Sequence, residues 1–126
     1  MIVLDKKILV VDDQPEITDI ICEFIKEKYP NVKTTEANSS IEALDIACSN
    51  KYDLIITDYH MPEKNGVQIV REIRENAVNK RTPIIFITAM KTEVEEEIGN
   101  DIENVYIFNK VDKIQLIVDL IEKFIS

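Results

Sequence analysis

Three short runs of apolar or β-branched residues recur along the chain, and a polar side chain follows each of them. These runs are Ile8–Val11, Leu54–Thr57 and Ile84–Ile87. Because polar residues do not alternate with apolar ones, both faces of each segment are apolar, which is typical of strands in a parallel sheet that helices cover on both sides. Two weaker segments, Val32–Ala37 and Val105–Phe108, complete the predicted strands, and the first, which is more polar, is expected at an edge of the sheet.

Segments with apolar residues at spacings of three and four separate these strands and predict helices. The first, Pro15–Tyr29, begins with a proline, which suits a first helical turn. Its expected inner face consists of Ile17, Ile20, Ile21, Phe24 and Ile25. Ser39 and Glu42 form a capping-box pattern, which predicts a second helix over Ser40–Ser49 with Cys48 on its buried side.

The three later helices are less uniform. An Asn65-Gly66 turn precedes a third helix, whose expected inner residues are Val67, Val70 and Ile73. The fourth lies within Thr92–Asn104 and is expected to be short, because Gly99 interrupts a strongly acidic segment. The fifth is expected to begin at a cap formed by Asp112, with inward residues Ile114, Ile117, Val118 and Ile121.

Strand and helix alternate along the chain, which predicts an α/β protein with a doubly wound, five-stranded parallel sheet. In such sheets, ligands bind outside the carboxyl ends of the strands. Five polar or charged residues lie at those ends, namely Asp12, Asp13, Asp58, Thr88 and Lys110. We therefore expect these side chains to meet at one edge of the sheet.

Length and composition favour one globular domain spanning residues 1–126. The net charge of -9 repels phosphate backbones and anionic lipids, so neither direct nucleic-acid binding nor membrane insertion is expected. Cys22 and Cys48 lack metal-type spacing and are interpreted as free thiols. The sequence shows no signal-peptide pattern, and no apolar run approaches the ~20 residues that a membrane span needs. We therefore predict that the protein lies in a reducing cytoplasm.

Three carboxylates at neighbouring strand ends need a counter-charge, because like charges raise one another's pKa. Oxygen ligands of this kind suit magnesium, which keeps several waters and tends to share its shell with a phosphate. Lys110 and the Thr88 hydroxyl would supply a positive charge and a hydrogen-bond donor to an anion beside the metal. In this setting Asp58 is the expected nucleophile, and attack on phosphorus would give an aspartyl phosphate.

The segments ILVVDDQP, TDYHMPEKNG and IIFITAM, with the strand that ends in Lys110, resemble the receiver domain of two-component response regulators over essentially the whole chain. The resemblance implies a flavodoxin-like fold with strand order 2-1-3-4-5. It also implies that Asp58 accepts a phosphoryl group from a histidine kinase or phosphotransfer protein, while Asp12 and Asp13 hold magnesium. Thr88 and Lys110 would contact the phosphoryl oxygens.

Two further positions border this site in the family. The backbone carbonyl two residues past the acceptor meets the metal, which here would be the carbonyl of His60. The His60 side chain, and Met90 two residues past Thr88, are expected to modulate the lifetime of the phosphoryl group rather than to take part in its transfer.

The chain departs from the family pattern at two places. The family usually follows its lysine with proline, whereas this chain has Val111, so a trans peptide bond and a slightly displaced lysine are expected. The family also places a switch aromatic three residues before the lysine, where this chain has Ile107. Tyr106 is next to it, but side chains alternate along a strand, so Tyr106 would need a bulge to replace that aromatic.

Three other interpretations stay open. A phosphohydrolase of the haloacid dehalogenase type also uses a strand-end aspartate, but it expects an acid where this chain has His60. A flavodoxin-like binding module shares the fold, although Asp12-Asp13-Gln14-Pro15 is a poor phosphate-binding loop. A receiver-like module that only binds partners is the third.

For a receiver, the expected partners are the kinase and a downstream protein. The chain would then catalyse no reaction beyond its own phosphorylation and dephosphorylation. A homodimer could form through the face of the fourth helix, last strand and fifth helix. Because the fifth predicted helix occupies the end of the chain, no output domain is expected.

Overall fold

The computed structural model describes residues 6–110 and 114–125 of the protein. Within them the strands are β1 (Lys7–Val11), β2 (Lys33–Ala37), β3 (Leu54–Thr57), β4 (Ile84–Thr88) and β5 (Val105–Asn109). The helices are α1 (Pro15–Lys28), α2 (Ser40–Ser49), α3 (Gly66–Glu75), α4 (Lys91–Ile98) and α5 (Ile114–Ile125). The predicted alternation of strands and helices is confirmed.

The strands form one parallel sheet in the order β2-β1-β3-β4-β5. The predicted fold class and strand order are therefore correct, and β2 lies at an edge as expected. The central strands β1, β3 and β4 are almost fully buried, whereas β2 and β5 are largely half-buried or exposed. This difference explains why only the central three have continuous apolar sequences.

The core has two layers, one on each face of the sheet, because neighbouring residues of a strand point to opposite sides. In β1, Leu9 and Val11 pack with α2, α3 and α4, while Ile8 and Val10 pack with α1 and α5. Burying an apolar side chain of this size contributes about 1.5–3 kcal/mol. The two faces therefore stabilise the sheet together.

The predicted inner face of α1 is wrong at two positions. Ile20 is 59% exposed and Phe24 is 37% exposed, whereas Thr18, Cys22 and Ile25 are buried. The Thr18 hydroxyl lies 2.6 Å from Glu36 Oε1, so its burial leaves no unsatisfied polar group. A polar residue thus takes the place of an apolar one on the buried stripe.

Both cysteines are free thiols, as predicted, and Cys22 is buried while Cys48 is only partly buried. Burial raises the pKa of the Cys22 thiol, which keeps it in the neutral form. Cys48 is therefore less enclosed than its predicted place on α2 suggested.

The predictions for α3 and α4 agree with the structure in their main features. Asn65 is the N-cap of α3 and forms a capping box with Gln68, so the helix itself begins at Gly66. The fourth helix has eight residues and ends at Gly99. In α5, Ile121 is buried as expected.

The predicted Asp112 cap and the departure at Val111 lie outside the described residues, and so do the side chains of 114–118. None of the described helices combines the length and the apolar character that crossing a membrane would require.

Candidate functional site

The carboxyl edge of the sheet brings the five residues singled out in the sequence to one end of the molecule. Asp12 and Asp13 follow β1, Asp58 follows β3, Thr88 ends β4, and Lys110 follows β5. Asp12 and Asp58 are buried, with 3% and 8% of their surface exposed, and Thr88 is buried as well. Ionised side chains are seldom buried in this way unless an opposite charge or a hydrogen-bond donor lies beside them.

Lys110 supplies that partner. Its Nζ donates a hydrogen bond to Asp58 Oδ2 at 2.9 Å and lies 3.9 Å from Asp12 Oδ2. The backbone N–H of Lys110 donates to the carbonyl of Thr88 at 2.9 Å, which anchors the lysine to the end of β4. One ammonium group therefore faces the acids of two neighbouring strands.

The titration behaviour of these groups reflects burial and mutual charge. Burial raises the pKa of the Asp12 carboxyl, and the charge of Asp58 raises it further, although the N–H of Gln14 and Lys110 act the other way. Burial alone would lower the pKa of Lys110, but its hydrogen bond to Asp58 and the surrounding carboxylates outweigh this and raise it. Lys110 is thus held in the charged form that an anion site needs.

The backbone around Asp58 is closely packed. The Asp58 N–H donates to the Val11 carbonyl at 3.2 Å, and Asp58 Oδ1 accepts the N–H of Tyr59 at 2.7 Å. A Cβ atom added to Gly66 would lie 2.2 Å from the Asp58 carbonyl oxygen and 2.7 Å from Phe86 Cε1. Glycine is therefore required at residue 66, where the start of α3 packs directly against the end of β3.

Thr88, Met90 and His60 complete the edge of the site. Thr88 Oγ1 accepts the N–H of Met90 at 3.0 Å, so the hydroxyl proton can be donated elsewhere. Met90 is partly buried at the N-terminus of α4. His60 is exposed two residues past Asp58. Their positions in the chain, two residues past Asp58 and two past Thr88, are those that the sequence analysis singled out.

The donors at this edge suit a hard divalent cation. They are carboxylate oxygens on two adjacent strand ends, and burial of the Asp12 carboxylate favours a positive charge beside it. In the arrangement described, Lys110 supplies that charge. Nowhere in residues 6–110 and 114–125 do three or more His, Cys, Asp or Glu side chains already form a group shaped to hold a metal.

The family model of the response regulator receiver domain matches residues 8–122 of the chain. The chain belongs to the response regulator receiver family. Its members are receiver domains of two-component systems, they interact with histidine kinases and downstream targets, and they are generally not enzymes. The predicted resemblance is therefore confirmed.

Two curated relatives illustrate the family. The transcriptional regulatory protein ResD of Bacillus subtilis is 37% identical over 89 residues, which cover 71% of this chain and 35% of ResD. A probable cyclic di-GMP phosphodiesterase of Vibrio cholerae is 30% identical over 105 residues, which cover 82% of this chain and 23% of that protein. The chain thus spans about a quarter to a third of the length of these relatives.

Solved structures show the same fold. The chemotaxis protein CheY4 of Vibrio cholerae superposes with a TM-score of 0.82 at 22% identity, covering 95% of this chain and 98% of CheY4. The response regulator TrrA of Thermotoga maritima, in complex with Mg²⁺ and BeF, gives a TM-score of 0.78 at 28% identity and covers 94% of this chain and 98% of TrrA. Membership of the receiver family decides against the phosphohydrolase and flavodoxin interpretations.

The two predicted switch positions of this receiver point in opposite directions. Ile107 packs with the α2, α3 and α4 layer, whereas the Tyr106 ring lies 5.0 Å from that of Phe124 on α5. The β4–β5 pairing continues without a bulge from Val105 to Asn109. Tyr106 therefore does not take the place of an aromatic side chain at residue 107.

A group of residues that the sequence analysis missed connects the receiver site to α4. The Tyr59 hydroxyl donates to Glu97 Oε2 at 2.5 Å, and Asn65 Nδ2 donates to Glu97 Oε1 at 3.2 Å. Tyr59 and Glu97 are 38 residues apart, so no local pattern signals their contact. The position of Tyr59 directly after Asp58 was the one available hint.

Proposed function

We propose that this receiver accepts a phosphoryl group onto Asp58 from the phosphohistidine of a histidine kinase or phosphotransfer protein. Asp58 combines the two properties that an acceptor needs, since its carboxylate is enclosed and one of its oxygens is bound by Lys110 at 2.9 Å. The single observation that carries the proposal is this Lys110 contact, which places a positive charge where a transferred phosphoryl group would bring negative charge.

The transfer is an in-line displacement. A carboxylate oxygen of Asp58 attacks phosphorus as the bond between phosphorus and the donor's imidazole nitrogen breaks, and that nitrogen keeps the electron pair. Lys110 then binds an oxygen of the transferred group, and the Thr88 hydroxyl donates a hydrogen bond to another.

Asp12, Asp13, Asp58 and the carbonyl of His60 would hold magnesium, in line with the carboxylate donors at this edge and with the Mg²⁺ bound by TrrA. When bound, the ion neutralises charge on the phosphoryl oxygens. Asp12 and Asp13 follow one strand and Asp58 another, so the acids could approach one cation from two sides.

The remaining assignments follow from this role. Residues 1–126 would act as one receiver, and catalysis would be limited to its own phosphorylation and dephosphorylation. His60 and Met90 would adjust the lifetime of the phosphoryl group. Signalling would use contact with a downstream protein, and a homodimer could form through α4, β5 and α5. The net charge of -9 favours a protein partner over nucleic acid.

The test is labelling by acetyl phosphate in the presence of magnesium, followed by intact-protein mass spectrometry. We expect the unsubstituted protein to gain one phosphoryl group, and a chelator to prevent it. Asp58→Asn should not be labelled. Asp53→Asn is the matched control, because Asp53 directly precedes the same strand at its opposite end, and it should be labelled normally.

Equal labelling of Asp58→Asn would contradict the assignment. A folded protein that takes up no phosphoryl group under these conditions would instead act only by binding partners. Multiple turnover of small phosphate esters would indicate a hydrolase.

A further inference from the structure

Tyr59 contacts both the acceptor and α4. Its backbone N–H donates to Asp58 Oδ1 at 2.7 Å, and its carbonyl accepts the N–H of Gly66 at 2.7 Å. Its hydroxyl donates to Glu97 Oε2 at 2.5 Å. The backbone of Tyr59 is therefore hydrogen-bonded on both sides, to the acceptor and to the start of α3.

Glu97 is the residue through which α4 is joined to the rest of the fold by side-chain hydrogen bonds. Its carboxylate accepts from Tyr59 and Asn65, and its carbonyl accepts from Arg71 Nη2 at 2.8 Å. Among the described residues, no other residue of α4 forms a hydrogen bond that joins the helix to another element through a side chain. Asn65 also caps α3, so the Glu97 carboxylate connects the start of α3 with α4.

The rest of α4 is weakly fixed. The helix has only eight residues, its N-cap Met90 provides no side-chain cap, and it ends at Gly99 with an exposed, acidic outer face. Val94 and Ile98 are its buried residues. Short helices of this kind open locally at a low cost in free energy, so a single strong hydrogen bond affects their stability noticeably.

We propose that the hydrogen bond between the Tyr59 hydroxyl and the Glu97 carboxylate is a latch that couples Asp58 to α4, and that phosphorylation of Asp58 loosens it. The coupling rests on the proposed function, because Asp58 must be the acceptor. In this proposal Tyr59 is a positioning residue. The latch carries the change at Asp58 to α4 in a receiver that has Ile107, and no aromatic side chain, at the switch position.

The physical cause of the coupling is the change in Asp58 as a hydrogen-bond acceptor. A free carboxylate accepts strongly from the Tyr59 N–H, whereas an acyl phosphate has lost the negative charge shared by the two carboxyl oxygens and accepts more weakly. With this bond weakened, Tyr59 shifts slightly, while its carbonyl stays bound to the N–H of Gly66. The hydrogen bond between the Tyr59 hydroxyl and Glu97 is only 2.5 Å long, so a shift of a few tenths of an ångström weakens it. The Glu97 carboxylate then loses a charge-assisted hydrogen bond.

The first measurement tests the latch itself in the unphosphorylated protein. Tyr59→Phe and Glu97→Gln should each raise hydrogen-exchange rates at the amides of Val94–Gly99 by about three- to tenfold, and the double variant should show no further increase. Glu96→Gln is the matched control, because it removes a charge from the exposed face of the same helix, and it should leave these rates unchanged.

The second measurement tests the coupling. Magnesium and beryllofluoride, a stable analogue of the phosphoryl group, should raise exchange at Val94–Gly99 in the unsubstituted protein by about the same factor as Tyr59→Phe. In Tyr59→Phe the analogue should bind but produce no further rise. Tyr106→Phe removes a tyrosine hydroxyl on β5 that bonds to Asn104 and not to α4, and its response should match that of the unsubstituted protein.

The outcomes separate the two proposals. If Asp58 is labelled but Tyr59→Phe responds at α4 like the unsubstituted protein, the latch is wrong and the proposed function stands. If Asp58→Asn is labelled as well as the unsubstituted protein, the acceptor assignment and the coupling both fail. If neither Tyr59→Phe nor Glu97→Gln changes exchange in the unphosphorylated protein, the latch does not hold α4.

Discussion

Two neighbouring regions at the carboxyl end of the sheet are built in different ways. The acceptor junction, residues 58–66, is fixed by backbone contacts, including bonds from Asp58 to Val11 and from Gly66 to Tyr59. In the α4–β5 face, residues 91–109, β5 pairs with β4 in the sheet, but none of its five residues is fully buried. Helix α4 is attached mainly through its buried Val94 and Ile98 and the hydrogen bonds of Glu97. The first region has no space for even one added methyl group at Gly66, whereas nothing lies within 4 Å of a Cβ added at Gly99.

The difference fits a division of roles. Phosphoryl transfer needs donors and acceptor held in place before the reaction, because reorganisation would raise the barrier. Signalling needs a region that can change its conformation for a small input of free energy. A receiver with a rigid acceptor junction and a lightly fixed α4–β5 face meets both requirements within one sheet.

The largest expected effect comes from removing the charge beside the acceptor. Lys110→Met keeps much of the side-chain volume but leaves Asp58 without its ammonium partner. Phosphoryl labelling by acetyl phosphate should slow by about a hundredfold, the scale seen when one preorganised charge or donor is lost. Lys51→Met is the control, since Lys51 lies at the opposite end of the strands, where its Nζ bonds to the Thr82 hydroxyl. A Lys110→Met rate within a factor of two of the original would show that the Lys110 contact is not used in transfer.

The next effect tests the rigidity of the acceptor junction. Gly66→Ala would force a methyl group against the Asp58 carbonyl and the Phe86 ring. We expect a loss of about 1–3 kcal/mol in the free energy of unfolding, measured with denaturant, because packed backbone cannot move aside cheaply. Labelling of Asp58 should slow in the same variant. Unchanged stability and labelling would mean that this junction is not rigid.

The smallest effect belongs to the matched glycine of the other region. Gly99 has a φ of 57° at the end of α4, so Gly99→Ala has space but an unfavourable backbone conformation. A loss of about 1 kcal/mol is expected from that conformation, with labelling of Asp58 unaffected. A loss larger than that of Gly66→Ala would reverse the comparison between the two regions.

The parts of the fold that the sequence predicted are those fixed by continuous local patterns. Within β1, β3 and β4, the segments Ile8–Val11, Leu54–Ile56 and Ile84–Ile87 are unbroken apolar runs. The capping residues Ser39 and Asn65 mark the starts of α2 and α3. Ends of parallel strands must share an edge, so the meeting of Asp12, Asp58 and Lys110 also followed from the pattern.

The errors arose where a residue's environment depends on distant partners. Helix α1 has two apolar stripes, and periodicity alone does not tell which one faces the sheet. Thr18 is buried because Glu36, 18 residues away, supplies a hydrogen-bond partner. Ile20 and Phe24 are consequently left on the exposed side.

Gly66 and Glu97 illustrate the same limit at the site. The Asn65-Gly66 pair was interpreted as a turn, but the reason for glycine is the contact with Asp58, which only the folded chain creates. Glu97 looked like one more acid on a solvated helix, and its bond to Tyr59 depends on how α4 packs beside α3.

The most direct test of the acceptor assignment is to locate the phosphoryl group in the unsubstituted protein. After labelling with acetyl phosphate and magnesium, borohydride reduces an aspartyl phosphate to homoserine, which peptide sequencing by mass spectrometry identifies. We predict homoserine at residue 58, with residues 12 and 13 remaining aspartate. Homoserine at residue 12 or 13, or label on any other residue with Asp58 intact, would contradict the account.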